Sequence, residues 1–135
     1  MPTVSTSRLV RATPAVIERA LTPAALVEYE GTFTVHEVSE TDAGWLVVAG
    51  RRGLELALAV EARENGLAYE QRGDGPLETL ETLVTYTPEN EGTRVRLRST
   101  VSTGLPLSAL TDRVAAWKRR GELRRALDRL AADVE

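Results

Sequence analysis

The sequence predicts an α+β domain: a curved antiparallel sheet of about seven strands with two short helices near its start and a long C-terminal helix across one face. Three observations predict it. Residues Gly31 to Thr103 alternate apolar and polar positions at period two, punctuated by Gly, Asn and Pro. The last thirty or so residues instead space their apolar positions by three and four, at Leu110, Val114 and Trp117 and then Leu123, Leu127, Leu130 and Val134. Thr-Pro occurs at 13–14 and again at 22–23, each pair an N-cap followed by Pro at the first helical position. Strands closed by a single long helix place that helix against one sheet face.

In chain order, residues 3–12 form a first strand carrying Val4, Leu9 and Val10. A helix over Pro14–Leu21 and a second from Pro23 to about Glu30 follow without a spacer, so they make a V. Six strands come next, in three hairpins. Thr32–Ser39 and Trp45–Gly50 flank Asp42-Ala43-Gly44; Leu54–Ala62 and Leu67–Arg72 flank Asn65-Gly66; Thr79–Thr87 and Thr93–Thr103 flank residues 88–92. The long helix starts at about Leu107. No repeat or linker divides the chain, so residues 1–135 read as one domain.

Turn geometry assigns the faces. A two-residue Asn65-Gly66 turn pairs Glu64 with Leu67, Ala62 with Tyr69 and Val60 with Gln71. Leu56, Leu58, Val60, Tyr69 and Gln71 then share the helix-facing side, and Glu61 lies opposite Glu70 on the outer one. In the last hairpin, Val84 and Tyr86 share the inner face with Val95, Leu97, Ser99 and Val101, while Arg94, Arg96 and Arg98 point out.

The composition narrows the chemistry. There is no Cys and one His, which removes disulfides, thiolate sites and a His-only metal centre. Glu70, Asp74, Glu78 and Glu81 lack the spacing of a metal-binding loop. His36 and Glu37 are adjacent on a strand and point to opposite faces, so they form no acid–base pair. No nucleophile elbow, phosphate-binding loop or dinucleotide fingerprint occurs. The expectation is no catalytic residue, no metal and no cofactor. A net charge of −3 argues against specific nucleic-acid binding. No apolar run is long enough to span a bilayer, so stable membrane insertion is not expected, and no secretory signal is read at the N-terminus. Without cysteine or an export signal, a cytoplasmic monomer or homodimer is expected.

The order of strand, two short helices, six-stranded meander and long helix resembles the helix-grip fold. The residues that carry the likeness are Val10-Arg11-Ala12-Thr13-Pro14-Ala15-Val16-Ile17, Leu21-Thr22-Pro23, Glu91-Gly92-Thr93-Arg94-Val95 and the closing helix. The chain thereby resembles the START/polyketide cyclase (SRPBCC) superfamily, in particular its small polyketide cyclase/dehydrase and lipid-transport-like members. That resemblance implies a cavity between sheet and helix, used by relatives for lipids, hormones, polyketides or other apolar molecules.

Against that frame the candidate ligand-binding residues are Tyr69, Gln71, Tyr86, Trp117, Gly121, Leu58 and Val84. Tyr69, Gln71 and Tyr86, together with Thr82 and Ser99, are the polar groups set into the apolar inner face. Gly121 continues the stripe 110, 114, 117, where a large apolar residue is expected, and costs about 1 kcal/mol of helix propensity relative to Ala. Two readings of it stay open: a kink or close packing on a strand, and room for a ligand. The basic residues Arg113, Arg119, Arg120, Arg124, Arg125 and Arg129 read as a solvated helix face. Three functions compete: a binder of a small apolar or amphipathic molecule, a cyclase- or dehydrase-type enzyme, and a protein-interaction module docking through the Arg-rich helix face.

Overall fold

A computed structural model describes residues 2–73, 77–104 and 108–135, and the side chains of 108 and 109 are not among them. Leu107 and Asp74 lie outside the described residues. The elements are β1 (Thr3–Val10), α1 (Pro14–Ala20), α2 (Pro23–Glu30), β2 (Thr34–Thr41), β3 (Gly44–Arg51), β4 (Leu54–Arg63), β5 (Gly66–Arg72), β6 (Thr79–Glu89), β7 (Gly92–Ser102) and α3 (Ser108–Val134). The seven strands form one antiparallel sheet in the order β1-β7-β6-β5-β4-β3-β2. The meander β2–β7 is therefore closed by β1 returning beside β7, and α3 lies across the inner face. This is the helix-grip fold.

Local chemistry explains the two short helices. Thr13 Oγ1 accepts from Val16 N–H and Thr22 Oγ1 from Ala25 N–H, so each Thr-Pro start is a working cap. α2 stops because Gly31 takes a left-handed φ of 80°, and its N–H bonds back to the Val27 carbonyl. Arg125 and Arg129 of α3 donate to the carbonyls of Glu30 and of Glu28 and Tyr29. Two cations thus sit on the negative end of the α2 dipole and tie α2 to α3.

The register of the β4–β5 hairpin differs from the sequence expectation by two residues. Val60 pairs with Tyr69, Ala62 with Leu67 and Arg63 with Gly66, so the turn is Glu64-Asn65, with Asn65 at φ 59°. Gly66 is needed inside β5 instead: a Cβ there would lie 1.9 Å from the Val84 carbonyl oxygen of β6. Because the slip is even, every side chain keeps its face. Glu70 consequently faces Ala59 on β4 and Glu81 on β6, and Arg72 pairs with Glu70 at 3.0 Å. The last hairpin has the expected faces, with Tyr86 opposite Val95 and Val84 opposite Leu97.

The core is the inner sheet face closed by α1, α2 and α3. Leu58, Val84, Val95 and Leu97 from the sheet meet Ile17, Leu26, Leu123 and Leu130 from the helices, all fully buried. α3 is one uninterrupted helix, and its buried side runs through Asp112, Ala116, Arg119, Leu123, Leu127 and Leu130. The stripe read from its first half lies on the opposite side: Leu110, Val114 and Trp117 are 64%, 60% and 74% exposed. Asp112 can face inward because Thr103 donates to it from its backbone N–H at 2.8 Å and its hydroxyl at 2.9 Å. Those bonds hold the Asp112 carboxyl below the ordinary carboxylate range.

Candidate functional site: a cavity with a buried polar wall

Between α2, α3 and the strands β4–β7 lies a cavity of about 140 Å³. Leu56 and Leu58 of β4, Leu80 of β6, Val101 of β7, Val27 of α2, Phe33 and Leu77 supply its apolar surface. Ala115 and Lys118 of α3 line it on the helix side. The polar wall is Glu30, Thr32, Tyr69, Arg119 and Glu122. The volume is that of a site for one benzene-sized ring, well below the roughly 300–1,000 Å³ of pockets for larger ligands.

The polar wall is organised by Arg119, only 5% exposed. Its Nε donates to Ser99 Oγ at 2.9 Å, and its Nη2 to Thr82 Oγ1 at 2.8 Å and to the Tyr69 hydroxyl. Its Nη1 pairs with Glu30 Oε1 and lies 3.6 Å from Glu122 Oε1. Four contacts thus hold the guanidinium inside the protein, and Glu122 adds a longer electrostatic one. Tyr69 O–H donates in turn to both Glu30 oxygens, at 2.7 and 2.8 Å, and Thr32 O–H donates to Glu122. Thr82 and Ser99 face each other across β6 and β7, which sets two hydroxyls at the spacing the guanidinium needs.

This cluster holds one positive and two negative groups. Burial raises the Glu30 pKa above the ordinary carboxylate value; the Arg119 charge and the Tyr69 hydrogen bond oppose that without cancelling it, and Glu122 adds to it. Burial pushes the Tyr69 phenol far above its ordinary range, so it stays a neutral donor. For Arg119 burial acts downwards, but Glu30, Tyr69 and Glu122 together outweigh it and keep the guanidinium charged. A raised Glu30 pKa means that the folded state holds the proton more tightly than the unfolded chain. Stability should therefore fall as pH rises from about 4, the ordinary Glu value, through the Glu30 pKa. Urea unfolding across that range should show the fall in the parent and lose it in Glu30→Gln.

The structure brings only part of the expected site together. Tyr69 and Leu58 line the cavity. Gln71 is half-buried beside it and donates from Nε2 to the Leu77 carbonyl, while its buried Oε1 has no partner among the described residues. Val84 and Tyr86 are buried core residues outside the lining, and burial followed by Glu18 raises the Tyr86 pKa. Trp117 and Gly121 lie on the solvent side of α3, since an unbroken helix in phase with Leu123 and Leu127 turns them away from the sheet. A Cβ at Gly121 would meet nothing within 4 Å beyond its own helix, which leaves neither of its two expected roles in place. Gly121→Ala should simply gain about 0.8–1 kcal/mol of helix propensity in a thermal melt.

Arg119, read from sequence as solvated, is the main correction among the basic residues, and Glu30, Thr32 and Glu122 were not expected at all. A signal for Arg119 did exist. Extending the Leu130, Leu127, Leu123 stripe backwards in steps of three and four lands on Arg119, Ala116 and Asp112. Three polar side chains on the inner sheet face also demand a polar partner from the helix.

The sequence profile described as polyketide cyclase/dehydrase and lipid transport matches residues 1–135. The chain belongs to this family, within the START-like SRPBCC superfamily. No curated protein sequence matches the chain. Among solved structures, a START superfamily protein from Mycobacterium smegmatis aligns over 97% of both chains with a TM-score of 0.73 at 14% identity. A protein from Thermus thermophilus aligns over 99% of this chain and 100% of its own, with a TM-score of 0.66 at 23% identity. A Mesorhizobium loti protein covers 97% of this chain and 95% of its own, with a TM-score of 0.69 at 22% identity. These likenesses show the family's fold. Among the described residues no helix is long and apolar enough to cross a membrane, and no three His, Asp or Glu side chains converge as a metal site.

Proposed function

We propose that the protein binds a small amphipathic molecule between the sheet and α3. The observation that carries this reading is a cavity of about 140 Å³ whose walls are mainly apolar, with one hydrogen-bonded wall around Glu30 and Tyr69 and Lys118 on the helix side. The ligand's apolar body would lie against Leu56, Leu58, Leu80 and Val101, and its polar end would meet that wall. With the guanidinium engaged by Ser99, Thr82, Tyr69 and Glu30, the wall presents carboxylate and hydroxyl oxygens, which favours a ligand end that can donate a hydrogen bond, such as a hydroxyl. A single ring or the end of a chain fits; a full lipid chain requires α3 to move. We take this binder to act in the cytoplasm as a monomer or homodimer.

One observation favours a second reading, acid–base catalysis of the cyclase or dehydrase kind. Glu30 lines the cavity with a raised pKa beside a neutral phenol donor, a pair able to exchange a proton with a bound molecule.

Calorimetric titration with benzyl alcohol tests the first reading. Ala115→Leu places three extra carbons in the cavity from the helix side. Uptake should fall at least about tenfold while the melting temperature holds or rises, because the added side chain fills existing space. Unchanged uptake by a folded Ala115→Leu protein would place the ligand elsewhere.

A further inference from the structure

Among the described residues, the three most exposed large apolar side chains lie on the solvent side of α3. Leu110, Val114 and Trp117 are 64%, 60% and 74% exposed. At 3.6 residues per turn they fall within about 60° of helix arc, as one stripe. Arg113, Arg120 and Arg124 border it on one side and Lys118 on the other, all exposed. Among the described residues none of these four cations has an ion-pair partner. The acids of the same helix segment are elsewhere: Asp112 and Glu122 turn towards the sheet and are held by Thr103 and Thr32. In a chain of net charge −3, this is a local surface of the opposite sign.

We propose that this face of α3 docks on an anionic lipid surface. An exposed Trp flanked by Leu and Val and rimmed by Arg and Lys matches the chemistry of the membrane interface, where an indole sits at headgroup depth and cations meet lipid phosphates. The single stripe is too narrow to insert, so docking is peripheral and reversible. The remainder of the chain is net acidic, which favours approach to an anionic plane through this face. Ala115 and Arg119, on the same turns of α3, line the cavity from the other side, and Lys118 lies between the two faces, so docking would bring the cavity wall to the lipid surface.

Sedimentation with vesicles of phosphatidylcholine, alone or with phosphatidylglycerol, tests this on the intact protein. Binding should require phosphatidylglycerol and weaken as salt rises. Replacing Arg113, Arg120 and Arg124 together by Gln should weaken it about tenfold or more, and Trp117→Ser should do the same. In a Trp45→Phe background, Trp117 emission should move to shorter wavelength only with anionic vesicles. Equal binding to both vesicle types, no binding to either, or an unmoved Trp117 emission would overturn the proposal. A dimer in sedimentation equilibrium that Leu110→Ser abolishes would also overturn it, by assigning the face to a second copy of the chain. Benzyl alcohol uptake without vesicles is a separate readout and does not depend on this face.

Discussion

Arg119→Met is expected to destabilise the protein by about 3–5 kcal/mol in urea unfolding. Met fills much of the same volume, so the loss is not one of packing. The guanidinium is the partner of Glu30, Glu122, Tyr69, Thr82 and Ser99, and without it two carboxylates are left together in a buried site with no cation between them. The cost is that of a stranded buried charge, which exceeds what the intact ion pair contributes. A second variant separates these. Arg119→Met combined with Glu30→Leu removes the charge along with its partner and should lose less than Arg119→Met alone. A loss equal to the sum of the Arg119→Met and Glu30→Leu single losses would show that Glu30 and Arg119 are not energetically coupled.

Leu58→Ala has the next largest expected effect. Leu58 is fully buried on β4 and lines the cavity. Truncation should cost about 2–5 kcal/mol, with the upper part of the range applying if the curved sheet cannot collapse onto the space. The cavity already present argues that it does not collapse. The same change should enlarge the site, so that a two-ring ligand such as naphthalene-methanol binds better to the variant than to the parent. Urea unfolding of the parent and the variant reads the lost stability of the fold, and isothermal titration reads the gained room.

The architecture was legible because it rests on local rules. Thr13-Pro14 and Thr22-Pro23 cap their helices whatever surrounds them, and period-two alternation records which face each strand buries. Even the misplaced β4–β5 turn left the faces intact, since the two-residue slip preserves parity; Gly66 misled because its missing Cβ serves β6 and not the turn. The site was less legible, because it is built against the hydrophobic pattern. Arg119 is inside while Trp117 is outside, so an apolar stripe in the first half of α3 points to the wrong phase. Glu30 ends a short helix, and its carboxylate is held by Tyr69 and Arg119, which lie 39 and 89 residues further along the chain. Pairings of that length have no periodicity to betray them. Tyr69 and Leu58 were found because alternation alone places them on the inner face.

The most direct test of ligand binding between sheet and helix is a crystal structure with para-bromophenol, whose bromine marks its own position by anomalous scattering. The anomalous peak is expected among Leu56, Leu58, Leu80 and Val101, with the phenol oxygen within hydrogen-bond distance of Glu30 or Tyr69. An unoccupied cavity at saturating ligand, or a peak confined to the outer face of the sheet, would contradict it.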